Sequence, residues 1–129
     1  MTHSREALEG FTRDFYREVD DNDATVFDRR FAATAAFDFN DFPTSTGPDE
    51  VSAMVAGWKG GFTSVHHDLR AVLVDVDKAT TVSEIAVNYV FKDDTSVSVS
   101  GCSISSFDDE GLMTGWRVYV DTTRSNPPS

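Results

Sequence analysis

The chain has 129 residues, with 22 acidic and 11 basic side chains and a formal net charge of −11. This length suits one domain, and an apolar share of 40% with ten phenylalanines supplies a core, which excludes wholesale disorder. The acidic balance argues against a nucleic-acid or anionic-membrane partner, because phosphate groups bind to clustered lysine and arginine side chains.

The N-terminal part of the sequence predicts three helices. Residues 4–20 carry one apolar stripe at helical spacing, formed by Leu8, Phe11, Phe15 and Val19. Ser4 is the expected N-cap, and the polar run that starts at Asp20 should end this helix. A short second helix is expected over 24–31. A third should begin at Pro48, which suits a first helical position, and end at Gly60.

The rest of the chain predicts strands. A short strand is expected over 34–39, followed by a loop, and four long strands over 65–76, 81–92, 95–107 and 112–122. Short polar turns join the long strands, so the sheet should be antiparallel. Residues 124–129, with two prolines, should form a frayed tail, which leaves one ordered domain over about 4–123.

Helices followed by a meander indicate an α+β fold, with three N-terminal helices packed on one face of the sheet. Long antiparallel strands coil, so we expect a curved sheet that forms a cone with an apolar pocket suited to a small molecule. The start of the chain has no apolar segment after a basic one, and no apolar run approaches a membrane span, so we expect a cytoplasmic protein.

The order of these elements resembles the nuclear transport factor 2-like superfamily, whose fold is cystatin-like. Two segments carry the resemblance: 47–51 is similar to the start of that superfamily's third helix, and 108–121 to its closing hairpin. Within the superfamily the chain is most similar to SnoaL-like proteins over about 4–123. That family includes polyketide cyclases, dehydratases, dehydrochlorinases and isomerases, so the resemblance alone leaves the function open.

One branch, the scytalone dehydratase and lindane dehydrochlorinase branch, pairs an aspartate near the end of the first helix with a histidine near the start of the long strand. The positions that match are Asp20 and His67. The resemblance implies that the carboxylate orients the imidazole, which then moves protons in an elimination or isomerisation without metal or organic cofactor. His66 and His67 diverge on a strand, so they should not chelate one metal.

Structural roles for both residues stay open at this point. Asp20 is also a good helix stop, and it lies beside the apolar stripe, so it reaches a pocket only if the helix frays or crosses the sheet obliquely. His67 lies on the more apolar strand face, with Val65, Leu69, Ala71 and Leu73, where a purely structural histidine is an equal alternative. The branch often has an asparagine where this chain has Ala71.

Other family chemistries give weaker matches. Limonene-epoxide hydrolase uses an Asp–Arg–Asp set, and the matching positions here are Ala86, Asn88 and Val118, which excludes that chemistry. SnoaL cyclases use an aspartate on the final strands, which would match Asp121. Tyr16 could donate a hydrogen bond to a substrate oxygen and Asn88 could point inward. Trp58 and Trp116 could form walls of the pocket.

The leading hypothesis is therefore a cofactor-independent lyase or isomerase, dehydratase-like or cyclase-like, that acts on a small hydrophobic molecule through His67 and Asp20. The alternative is a non-catalytic module that binds a small ligand or serves as an accessory protein. In this superfamily the convex sheet face often packs on a second subunit, so we expect a homodimer through the face that carries Ser96, Ser98, Ser100 and Cys102.

Overall fold

The computed structural model describes residues 3–125, which form three helices and six strands. The helices are α1 (Arg5–Asp20), α2 (Val26–Arg30) and α3 (Gly47–Lys59). The strands are β1 (Phe31–Phe39), β2 (Ser45–Thr46), β3 (Ser64–Asp75), β4 (Thr80–Val90), β5 (Ser96–Phe107) and β6 (Met113–Val120). The three helices and four long strands that the sequence predicted are all present, with ends that differ by a few residues.

The strands form one curved, unclosed sheet in the order β2-β1-β6-β5-β4-β3, which confirms the α+β prediction. Neighbouring strands are antiparallel except β1 and β6, which are parallel. The four long strands are antiparallel as predicted, whereas the parallel pairing of β1 with β6 departs from the expected antiparallel sheet. No tight turn joins β1 to β6, so the chain does not fix their relative direction, and the parallel register places Phe37 beside Trp116 with the rings stacked 4.3 Å apart.

Strand β1 begins at an earlier residue than the sequence predicted, because of its pairing with β6. Phe31, expected at the end of the second helix, instead begins the strand, where it pairs with Met113 and its ring lies 5.7 Å from that of Phe15. The two-residue strand β2 lies in the predicted loop and pairs with Ala36 and Phe37. Local sequence periodicity predicts neither the pairing of β1 with β6 nor that of β1 with β2, because each pairing joins two separate segments of the chain.

Helix α1 forms as its sequence predicts. The Ser4 hydroxyl accepts a hydrogen bond from the backbone N–H of Ala7 at 3.1 Å, which satisfies one of the free N–H groups of the first turn. The apolar stripe faces the sheet, with Leu8 and Phe15 fully buried. The Thr12 hydroxyl lies 2.8 Å from that of Thr81 on β4, so the helix crosses the inner face of the sheet.

Gly47 determines how the chain enters α3. It has a positive φ of 83°, and a Cβ at this position would lie 3.0 Å from the carbonyl oxygen of Ala33. Glycine therefore permits the close approach to β1, and Pro48 follows in the first turn of the helix. The far end of α3 places Trp58 over β1, with its ring centroid 5.9 Å from that of Phe39.

A bulge in β3 changes which residues face the core. The register shifts between Leu69 and Ala71, so one extra residue interrupts the alternation of side chains. Val74 packs against the core, whereas Leu73 is 66% exposed. The prediction that Ala71 and Leu73 share the face of His67 was therefore wrong beyond the bulge.

At the C-terminal end, Ser125 is buried and its hydroxyl donates to the carbonyl oxygen of Thr122 at 3.2 Å. Positions 126–129 of the predicted tail lie outside the described residues. Within residues 3–125, none of the helices combines the length and the apolar character needed to cross a membrane.

Candidate functional site

The structure brings Asp20 and His67 together. Asp20 is the last residue of α1 and His67 lies near the start of β3. The Oδ1 atom of Asp20 lies 2.6 Å from Nδ1 of His67, and its Oδ2 atom accepts a hydrogen bond from the backbone N–H of His67 at 2.7 Å. Both side chains are nearly buried, with exposed fractions of 9% and 7%. The carboxylate thus fixes both the main chain and the ring of His67.

The end of α1 places the carboxylate there. Asp20 lies beside the apolar stripe, and the helix remains regular to this residue, so fraying is not the reason it reaches His67. Instead, α1 crosses the inner face of the sheet and its last turn lies against the start of β3. The next residue but one, Asn22, has a left-handed φ of 58°, which turns the chain away immediately after Asp20.

The contact with Asp20 determines the tautomer of neutral His67. An ionised carboxylate only accepts hydrogen bonds, so Nδ1 of the imidazole must carry the proton at this 2.6 Å contact. Nε2 then has a free lone pair, and no group among the described residues hydrogen-bonds to it. A histidine in this state can accept a proton at Nε2, while the carboxylate stabilises the imidazolium that forms.

His67 is the polar member of an otherwise apolar cavity between α3 and the sheet. The lining comprises Phe37, Phe39, Met54, Val55, Trp58, His67, Trp116 and Val118. About 20 Å³ of this space is open to the centre of a water-sized molecule, which is room for about one water. In this conformation the aromatic walls are therefore closed around the imidazole.

Trp58 and Trp116 both line this cavity, as expected for its walls. Trp116 is buried in the sheet among phenylalanines, whereas Trp58 is partly exposed at the end of α3. Trp58 and Phe39 also line a shallow groove outside the cavity, beside Phe42, which is 53% exposed. Trp58 and Phe39 therefore lie between the cavity and that groove.

Tyr16 lies beneath the imidazole, with its ring centroid 4.9 Å from that of His67. Its hydroxyl accepts a hydrogen bond from Nε1 of Trp116 at 2.9 Å and is fully buried. Burial raises the pKa of the Tyr16 hydroxyl to about 12, against the opposing effect of the hydrogen bond from Trp116, so it stays protonated at neutral pH. Tyr16 is not among the residues that line the cavity; it supports His67 from below.

Two predicted site residues lie away from the cavity. Asn88 is paired with His66 and Ser98, and directly paired residues share a sheet face, so Asn88 lies on the outer face. Asp121 follows the end of β6 in an exposed turn, where it accepts hydrogen bonds from the N–H and hydroxyl of Thr123. The expectation that both residues contribute to the pocket was therefore wrong.

His66 also contacts the carboxylate, from the outside. Its Nδ1 atom lies 3.3 Å from Oδ2 of Asp20, and its side chain is 68% exposed. The two adjacent histidines diverge as expected for a strand, so one lies in solvent and the other at the cavity. Among residues 3–125, no group of three or more histidine, cysteine or acidic side chains is arranged to hold a metal ion.

Sequence reasoning missed Lys59, the last residue of α3. Its Nζ atom donates to the carbonyl oxygen of Val19 at 2.5 Å and to Oδ1 of Asn22 at 2.7 Å, so it lies at the end of α1 on either side of Asp20. Partial burial lowers the pKa of the Lys59 ammonium, while attraction to Asp20 opposes that change. The sequence signal was only a basic residue before two glycines.

The fold and the site define an α+β domain with a buried histidine–aspartate pair beside an apolar cavity. The chain belongs to the SnoaL-like domain family, whose model matches residues 12–116. No curated protein matches the chain in sequence.

Solved structures share the fold at low identity. A protein from Jannaschia sp. CCS1 that carries the name SnoaL-like polyketide cyclase is 16% identical, with a TM-score of 0.81 over 99% of both chains. An LEH-like epoxide hydrolase from M. tuberculosis is also 16% identical, with a TM-score of 0.76 over 92% of this chain and 86% of its own.

A protein with a cystatin-like fold from Methylobium petroleophilum PM1 is 18% identical, with a TM-score of 0.75 over 100% of this chain and 82% of its own. Likeness at this identity shows the fold alone. It confirms the cystatin-like prediction, whereas membership of the dehydratase branch stays a prediction.

Proposed function

We propose that this protein is a cofactor-independent lyase or isomerase that acts on a small hydrophobic molecule by general acid–base chemistry at His67. The observation that carries the proposal is the 2.6 Å contact between Asp20 and Nδ1 of an imidazole that faces an apolar cavity. Membership of the SnoaL-like family, with a structural neighbour that carries the name SnoaL-like polyketide cyclase, supports this class of chemistry but does not give the substrate.

In an elimination, Nε2 of His67 would remove a proton from a carbon next to a carbonyl group. The electron pair of that C–H bond forms a C=C bond as the C–O bond on the adjacent carbon breaks. The imidazolium then returns its proton to the departing oxygen, so water leaves and His67 is neutral again. In an isomerisation the same proton returns to a different carbon, and no leaving group is needed.

The cavity restricts the substrate class. Its lining has no charged side chain to pair with a carboxylate or an amine, and five of its eight residues are aromatic, counting Phe37, Phe39, Trp58, Trp116 and the imidazole of His67. A neutral, flat molecule with one carbonyl group near Nε2 fits this chemistry, since burying an unpaired charge is costly. Entry requires the aromatic walls to open, for which Trp58 is the best placed.

Exchange of an acidic C–H with solvent tests the base directly, without knowledge of the natural substrate. A panel of small neutral ketones, including 2-tetralone, would first be screened by thermal shift. Binders would then be incubated in D₂O and followed by NMR. We expect the protein to accelerate deuterium uptake beside the carbonyl, and His67→Ala to lose about 10²- to 10⁴-fold of that acceleration. An unchanged melting temperature shows that the variant is folded.

Exchange that survives in His67→Ala would refute the assignment. A ligand that binds tightly to the wild-type protein with no exchange and no turnover would instead support the non-catalytic binding module. The apolar lining of the cavity is the observation that favours this second candidate, because such a lining can bind a small molecule without transforming it.

We also propose that the protein forms a homodimer through the outer face of the sheet. Leu73 and Tyr119 are 66% and 45% exposed on this face, where Tyr119 lies opposite the free Cys102. Light scattering on the wild-type protein and on Tyr119→Asp would test this, with a shift from dimer to monomer as the expected result. A wild-type monomer at every concentration would refute it.

A further inference from the structure

A lysine holds the end of the helix that carries Asp20. Lys59 Nζ contacts Val19 O at 2.5 Å and Asn22 Oδ1 at 2.7 Å, one residue before Asp20 and two residues after it. The two partners belong to α1 and to the turn that follows it, whereas Lys59 belongs to α3. The ammonium group therefore ties two helices together at the residue that contacts His67.

Carbonyl groups at the end of a helix lack intrahelical donors, and the helix dipole is negative there. Val19 O receives the backbone N–H of Asn22 at 3.1 Å as well as the lysine. Asn22 itself is in the left-handed region, with φ of 58°, so the chain turns sharply just beyond Asp20. A cation that bonds both the last turn and this asparagine fixes the turn from two sides.

The charge of Lys59 also supports a role in holding Asp20 in place. The Asp20 side chain is 9% exposed and its contacts at β3 are with histidines and a backbone N–H. A nearly buried carboxylate is stable only when positive charge or hydrogen-bond donors compensate for its lost hydration. Lys59 lines the same small recess as Asp20, and its ammonium group is attracted to that carboxylate.

We infer that Lys59 is a positioning residue of the Asp20–His67 pair: by holding the last turn of α1, it keeps the carboxylate at Nδ1 of His67 and so keeps Nε2 unprotonated. The inference rests on the pair that the proposed function uses, but not on turnover. Its test therefore reads the pair itself, through the imidazole of His67.

The experiment compares wild type with Lys59→Met, which keeps an unbranched side chain one atom shorter than lysine and removes the charge. The protein is labelled with ¹⁵N-histidine and studied by NMR. We expect the imidazole of wild-type His67 to be the Nδ1–H tautomer, with an Nδ1 proton that exchanges slowly with water. Lys59→Met should show a mixture of tautomers and an Nδ1–H exchange rate raised by about tenfold or more, because the last turn of α1 opens more often.

The matched control is Arg17→Met. Arg17 is also a cation in the last turn of α1, but its side chain is 65% exposed and pairs with Asp14 at 3.0 Å. This variant removes the same charge near the same helix end without removing a bond to Val19 or Asn22. We expect it to leave the tautomer of His67 and the exchange rate of Nδ1–H as in wild type.

A second variant, Asn22→Gly, tests the same contact in case Lys59→Met does not fold. Asn22→Gly permits the left-handed conformation but removes the Oδ1 acceptor of Lys59, and it should raise the Nδ1–H exchange rate by a smaller factor. Lys59→Arg should restore part of the protection, since it retains the charge. A wild-type tautomer and exchange rate in both folded Lys59→Met and Asn22→Gly would overturn the inference. Loss of ketone exchange in His67→Ala tests the proposed function separately.

Discussion

Asp20 is the last residue of α1 and Asp121 is the first residue after β6, yet their carboxylates have different roles. Asp121 accepts hydrogen bonds from the N–H and hydroxyl of Thr123, two residues along, and is exposed. Asp20 makes its bonds to β3, at His67, and is nearly buried. An aspartate that accepts hydrogen bonds from residues adjacent in sequence stabilises a turn. An aspartate that contacts an imidazole distant in sequence fixes the orientation of that imidazole.

Asp20→Asn should have the largest effect on chemistry. An asparagine removes the negative charge that stabilises the imidazolium, and its NH₂ group can face a ring nitrogen, which favours the wrong tautomer of His67. We expect ketone exchange to fall by about 10²- to 10⁴-fold, measured by NMR in D₂O. Asp121→Asn is the matched control and should retain wild-type exchange. Equal losses in the two variants would erase the distinction between the aspartates.

Tyr16→Phe should have the largest effect on stability among these changes. It removes the acceptor of the Trp116 Nε1–H inside the core, and an unsatisfied buried donor costs about 1–3 kcal/mol. Urea denaturation of wild type and of Tyr16→Phe would measure the loss of unfolding free energy. A Tyr16→Phe variant as stable as wild type would show that the hydrogen bond between Trp116 and Tyr16 does not stabilise the fold.

His66→Gln asks whether the exposed neighbour shares the role of His67. Its contact with Asp20 is 3.3 Å long and its side chain is 68% exposed. Exposed ion pairs contribute about 1 kcal/mol or less, so ketone exchange should change by less than about fivefold. A loss as large as that of His67→Ala would mean that Asp20 serves both histidines equally.

Thr123→Val should have the smallest effect, and only in acid. Hydrogen bonds from the Thr123 hydroxyl and N–H lower the pKa of Asp121 below its ordinary 3.8. A lowered carboxyl pKa stabilises the fold at higher pH, and this contribution disappears as the pH falls through the folded-state value. The variant should therefore lose slightly less thermal stability than wild type between about pH 5 and pH 2. Identical acid titrations would show that the turn contributes nothing.

The sequence determined the order of the elements and the identity of the central pair. The apolar stripe of α1 and the Ser4 cap act within a few residues, so their pattern predicts the helix directly. The four long strands follow from alternation and polar turns. Asp20 and His67 were selected through family resemblance, and the contact between them is a tertiary fact that no local pattern contains.

The direction in which many side chains point depends on tertiary pairing and packing. The bulge in β3 reverses the alternation beyond Leu69, the register of β4 turns Asn88 outward, and β6 ends before Asp121. The role of Lys59 also depends on the distance between α3 and α1, which is set by packing. Sequence encodes what acts locally, such as caps, turns and periodicity. The site depends on the angle at which α1 crosses the curved sheet. The packing of the whole core sets that angle.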